Sequence, residues 1–148
     1  MVDLKLRYYR SVLIQTKRGK SKGKDINAKP ILILSFFDLI EKKEIVENKI
    51  QFKDSLKAYY NNLYSFYEPE SAITPFHKPF YYLQSDGYWH LVWTEKTERK
   101  SPSAKYLRDN VKYGTLDNAL WDLLQDAQAR TILRETVINH FLKTENKK

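Results

Sequence analysis

Apolar positions recur mainly at intervals of three and four residues, which predicts helices, and bunch with aromatics in one central stretch, which predicts strands. Asp3 to Thr16 (DLKLRYYRSVLIQT) spaces Leu4, Tyr8, Val12 and Leu13 at helical intervals and leaves Lys5, Arg7 and Arg10 elsewhere on the surface. After Asn27-Ala28-Lys29-Pro30, the run ILILSFFDLIEKKE is apolar on nearly every side up to Ile40, with Asn27 as candidate cap and Pro30 suited to a first helical turn. That predicts a helix surrounded by protein. Ile45 to Phe52 reads as a short extended segment, and Asp54 to Tyr67 as a one-sided helix with Leu56, Tyr59, Tyr60, Leu63 and Phe66 or Tyr67 on its apolar stripe. Near the end, Thr115-Leu-Asp-Asn offers a cap before ALWDLLQD. Ala127 to Leu142 then follows as a last helix that pairs with it, and Lys143 to Lys148 is a polar tail.

Between these helices lies Pro75 to Trp93, PFHKPFYYLQSDGYWHLVW. An Asp-Gly pair supplies the positive φ angles of a tight turn, so Phe80 to Gln84 and Tyr88 to Trp93 are predicted to pair as antiparallel strands around Ser85-Asp86-Gly87. The expectation is an α-dominant α+β fold: a single helical domain over residues 1–148 with a small antiparallel β-hairpin.

Charge changes this picture. The net charge is +8, and residues 1–30 hold nine Lys or Arg against Asp3 and Asp25, a local +7. Five of those cations fall in Lys17 to Lys24 (KRGKSKGK), too polar to pack and too rich in glycine for a helix, hence a basic mobile loop. Such a face attracts a polyanion, double-stranded DNA first, with Lys17, Arg18, Lys20, Lys22, Lys24, Lys29, His77 and Lys78 as candidate contacts. An acidic protein partner is the competing class. The chain has no cysteine, which excludes disulfides and thiolate chemistry. Its longest apolar run, Ile31 to Phe37, is interrupted by Ser35 and followed by Asp38, so no membrane partner and a cytoplasmic setting are expected.

Catalytic signals are sparse. His77, His90 and His140 lack metal-ligand spacing, and neither a glycine-rich phosphate loop nor a nucleophile elbow is present, so no cofactor, metal or catalytic residue is assigned. The alternative is a small metal-dependent nuclease in which Asp86, Glu98 and Lys100 hold a magnesium ion and position water. Glu98 falls in a charged loop, Glu95 to Ser103, rather than on a strand.

Three stretches carry a family resemblance: Ala28-Lys-Pro-Ile-Leu-Ile-Leu34, Pro79-Phe-Tyr-Tyr-Leu-Gln-Ser-Asp-Gly-Tyr-Trp-His-Leu91, and Tyr113-Gly-Thr-Leu-Asp-Asn-Ala-Leu-Trp-Asp-Leu-Leu124. Together they resemble the sulfur-binding-domain-like N-terminal module of modification-dependent HNH restriction endonucleases. The resemblance implies a mostly helical DNA-recognition domain of a type IV restriction or defence system. Some members grip a phosphorothioate sulfur in a non-polar cavity, here implied at Ala28, Lys29, Pro30, Lys78, Pro79, Phe80, Tyr81 and Tyr82. Ala28 stands where sulfur binders often have histidine and Lys78 where they often have tyrosine, so DNA binding is expected ahead of sulfur selectivity. The family's nuclease lies in a following domain, and no His-Asn-His motif occurs in these residues, so cleavage is expected from a separate domain or subunit.

Overall fold

The computed structural model describes residues 2–94 and 103–142. At its centre is helix α2 (Ala28–Glu41), buried from Pro30 to Ile40 without interruption. Helix α1 (Val2–Ile14), α3 (Asp54–Tyr67), the short α4 (His77–Tyr82) and the pair α6 (Asn118–Leu124) and α7 (Ala127–Val137) surround it or one another, and α5 (Ala104–Asn110) precedes that pair in the chain. Eight large apolar side chains of α2 are at most 5 % exposed, each stabilising the fold by roughly 1.5–3 kcal/mol. The one charge within this buried run, Asp38, accepts from Arg134 Nε at 2.6 Å and from the Tyr59 hydroxyl at 2.7 Å, so its desolvation is compensated. Burial and that carboxylate push the Tyr59 hydroxyl up to about 12. The fold is α-dominant α+β, with small antiparallel two-stranded sheets beside the helices.

The α3 boundaries agree with the predicted Asp54 to Tyr67. On α1 the inward face is Leu6, Tyr9 and Leu13, followed just past its end by the buried Thr16, while Leu4 and Tyr8 stay exposed; adjacent Tyr8 and Tyr9 gave the periodicity two registers, and packing selected the second. Within the expected cap stretch Thr115 to Asn118, Asp117 holds the N-cap position of α6 without a side-chain capping bond, whereas Asp126 caps α7 by accepting from the Ala129 N–H. The last helix also ends sooner than expected, at Val137, and continues as a wider turn over Ile138–Leu142. Ile45 to Phe52 contributes a single bridge, Ile50 to Gly114, rather than a strand. The polar tail from Lys143 and the loop from Glu95 to Pro102 lie outside the described residues.

The predicted hairpin around Asp86-Gly87 is not formed. Phe80 to Gln84 belongs to α4 and to the 3-10 turn Leu83–Asp86 that follows it. Phe76, Phe80 and Leu83 are all buried at i, i+4, i+7 spacing, and Pro79 falls in a first turn, where its missing N–H costs nothing. A run that is apolar at every position satisfies either period, so the prolines decided for helix. Gly87 does adopt positive φ, +97°, yet it closes the 3-10 turn and redirects the chain into β3 (Trp89–Trp93). The partner of β3 is β4 (Val111–Leu116), in register Trp89 to Leu116 and Leu91 to Gly114. Gly114 concealed β4 in the sequence because glycine weakens a strand signal. It is required there: a Cβ would overlap the Trp89 indole. That indole donates from Nε1 to the Phe80 carbonyl at 2.8 Å and so fastens the sheet to α4.

Lys17 to Lys24 is likewise not an open loop. Strands β1 (Lys20–Ser21) and β2 (Lys24–Asp25) form a tight ribbon whose turn, Lys22-Gly23, has φ of +53° and +81°, the pairing that a two-residue hairpin requires. The Ile26 N–H donates to the Gly19 carbonyl at 2.8 Å and closes its base.

Candidate nucleic-acid interface

Where the ribbon's stem, the start of α2 and α4 meet, they border an open pocket of about 350 Å³ lined in part by Lys17, Arg18, Ala28, Lys29, Lys78, Pro79 and Tyr82. Five residues of the expected cavity are therefore brought together: Ala28, Lys29, Lys78, Pro79 and Tyr82. Three are not. Pro30 and Phe80 point into the core, being one position along from lining residues on their helices, and Tyr81 is half-buried against Trp93, with centroids 6.4 Å apart. Of the candidate DNA contacts, Lys20, Lys22 and Lys24 stand exposed on the ribbon beside the pocket. His77 faces the other side of α4, into a separate groove with Phe52, Phe76, Lys57 and Arg108. Burial, and then the Lys78 charge, lower its pKa from the ordinary histidine value.

The cations divide into two sets. Lys29 Nζ sits 2.8 Å from Asp86 Oδ2, with side-chain exposures of 15 % and 3 %, and the other carboxylate oxygen accepts from the Lys17 N–H at 2.9 Å. Asp86 thus ties α2, the ribbon and the 3-10 turn together, and Lys29 is largely neutralised in place. Arg18 is similarly occupied. It donates to Asn27 Oδ1 at 2.7 Å, reaches Asp25 at 3.3 Å, and lies 4.8 Å above the Phe141 ring. Lys17 and Lys78 are different: among the described residues neither ammonium has a carboxylate within ion-pair distance. These two, with the ribbon lysines, supply the uncompensated charge.

Asn27 holds the expected N-cap position, but its Oδ1 accepts from Arg18 at 2.7 Å and its Nδ2 donates to Glu68 at 2.8 Å, so no side chain caps the first turn of α2. That turn borders the pocket through Ala28 and Lys29, and its backbone dipole adds to the pull on an anion. Beside the charges the lining is apolar at Ala28, Ile26 and Pro79, and it includes Tyr82, which is 42 % exposed.

The alternative nuclease site is not assembled by what is described. Asp86 is consumed by Lys29 and by the Lys17 N–H, and Glu98 and Lys100 lie outside the described residues. No group of three His, Asp or Glu side chains able to hold a metal occurs among the described residues. His90 Nε2 is paired with Asp117 at 2.7 Å, and His140 packs edge-on to Phe141. No helix among the described residues is long and apolar enough to cross a membrane. The convergence of Lys29 with Asp86, 57 positions apart, had no signal in the sequence beyond their opposite charges. No protein-family model matches the chain, and no curated protein matches it.

Proposed function

We propose that this chain is a DNA-recognition module that grips the backbone of a duplex with the ribbon lysines Lys20, Lys22 and Lys24 and with Lys17 and Lys78 at the pocket mouth. The observation that carries this reading is the pocket itself, where unneutralised ammonium groups stand beside an apolar wall at the root of a basic ribbon. Phosphate neutralisation by such groups provides affinity without sequence information. The concentration of charge in the first thirty residues and the resemblance to the recognition module of modification-dependent restriction endonucleases support the same conclusion. Within that setting, cleavage belongs to a separate domain or subunit, in a type IV restriction or defence system. The Pro79 ring and Ala28 suit a soft, weakly hydrated phosphorothioate sulfur, which an apolar surface contacts at little desolvation cost.

Binding to a labelled duplex, measured between roughly 50 and 200 mM salt, tests the proposal, because log affinity should fall linearly with log salt. Replacing Lys17 and Lys78 by serine should lower that slope by about 2 on every sequence, and Lys20, Lys22 and Lys24 by about 3. A flat salt response, or slopes indifferent to these changes, defeats the reading. Matched duplexes with and without one phosphorothioate, at one salt concentration, test the modification: equal affinity removes sulfur preference and leaves DNA binding standing.

A further inference from the structure

The pocket is far larger than the backbone atom it would contact. A phosphate oxygen or a sulfur occupies about the space of one water, roughly 30 Å³ in the liquid, whereas about 350 Å³ is open here. That volume falls at the lower end of the range of sites that enclose a small organic molecule, about 300–1,000 Å³. Its surfaces are also wrong for an ion alone. Tyr82, 42 % exposed, and Pro79 line it together with Ala28 and Ile26, and the hydroxyl-bearing residues Thr74 and Ser85 belong to the same lining. Tyr81 packs edge-on against Tyr82, with centroids 5.0 Å apart, and holds the ring at its station. Ser85 Oγ donates to the Tyr82 carbonyl at 2.9 Å, which leaves its lone pairs able to accept from a ligand. An apolar slot with an aromatic wall, polar groups at its edge and ammonium groups at its mouth matches a planar heterocycle attached to a phosphate chain.

We infer that the pocket receives an unstacked nucleobase of the bound nucleic acid, stacked on Tyr82 and Pro79 while Lys17 and Lys78 hold the flanking phosphates. The inference rests on the DNA-binding reading above and adds the chemical group that the pocket takes. Drawing a base out of a duplex requires unpairing and unstacking, least for a base already unpaired, so the module should favour DNA with a bulged or mismatched nucleotide. A ring that stacks is tolerant of base identity, because every base offers a π face.

The test compares four labelled ligands of one length, each titrated between roughly 50 and 200 mM salt: a fully paired duplex, the same duplex with a single bulged adenine, the same with the bulged position abasic, and one with 2-aminopurine in the bulge. The base-bearing bulge should bind about tenfold or more tightly than the paired duplex, the abasic bulge should lose that advantage, and 2-aminopurine emission should change on binding. Tyr82→Ala should abolish the preference and Tyr82→Phe should retain it, with both variants checked for an unaltered melting curve. Equal affinity for the paired, bulged and abasic ligands, with salt dependence retained, overturns the inference and spares DNA binding. Equal preference for base-bearing and abasic bulges also overturns it, since a bent backbone would then be the feature read. Absence of salt-dependent binding to any of the four overturns both.

Discussion

Helix α4 is six residues long and has a cleft on each side, and the two differ in what their charges are doing. On one side, His77 borders a groove of about 220 Å³ floored by Phe52 and Phe76. Its Arg108 guanidinium lies 5.6 Å over the Phe52 ring and 3.8 Å from Asp54, a carboxylate 91 % exposed, and His77 is biased towards its neutral form. On the other side, a carboxylate that is almost fully buried holds Lys29 in place, and Lys17 and Lys78 remain uncompensated at the mouth. Both clefts combine aromatic rings with cations, so composition alone does not separate them. The difference lies in solvent: one acid–base pair is dry and fixes the architecture, while the other is wet and contributes little.

Breaking each pair should expose that contrast most strongly. Asp86→Ala leaves Lys29 nearly buried without a counter-charge and the Lys17 N–H without an acceptor, and should destabilise the protein by about 3–5 kcal/mol in denaturant titrations. Asp54→Ala should change stability by less than about 0.5 kcal/mol, as expected for an exposed pair. Replacing Lys29 by Met together with Asp86 by Leu should recover most of the first loss, since an apolar pair removes both buried charges. Equal costs for the two single changes would show that burial does not distinguish the clefts.

Which parts were legible follows from how many structures each pattern permits. The one-sided stripe of α3 admits one solution, and the all-round apolar run of α2, which would fit a strand over Ile31 to Leu34, is decided for helix by Phe36, Phe37, Leu39 and Ile40 continuing at helical spacing, so both were readable. Phe80 to Gln84 admits two, and a turn signal at Asp86-Gly87 tipped the reading to strands even though Phe76, Phe80 and Leu83 kept helical spacing. The true partner of Trp89 to Trp93 was hidden because the residue that makes pairing possible, Gly114, is also the one that weakens a strand pattern. At the site, Ala28, Lys29, Lys78, Pro79 and Tyr82 converge on one pocket, but Asp86 was read as a metal-ligand candidate and proves to be the partner of Lys29. A pairing over such a separation depends on the tertiary fold and leaves no local trace.

A change under both clefts at once sharpens the comparison further. Gly114→Ala would force the Trp89 indole to move, at about 1–3 kcal/mol for overpacking, and that indole anchors α4 through the Phe80 carbonyl. Thermal unfolding should register the loss. Both clefts should be disturbed, so the DNA binding proposed for the pocket should weaken even though no residue of the pocket has changed. Smaller still is the contrast in surface charge. Replacing Lys57 and Arg108 by serine should leave the salt slope of DNA binding unchanged, against the fall of about 2 expected for Lys17 and Lys78.

The finest distinction is carried by His77, whose ring borders one cleft while the neighbouring Lys78 borders the other. Its pKa is lowered in the folded protein, chiefly by burial and secondarily by the Lys78 charge, so the unfolded chain binds its proton at higher pH than the folded one does. Stability from this residue is therefore complete above the unfolded value near 6.5 and is lost as pH falls through the folded value below it. Melting temperatures taken downward from pH 7.5 should decline across that window, and His77→Gln should flatten this part of the profile. Lys78→Ser should flatten it only in part, because burial is the larger cause and remains. A full flattening by Lys78→Ser would mean that charge reaching across α4, rather than the burial of the imidazole itself, governs the histidine.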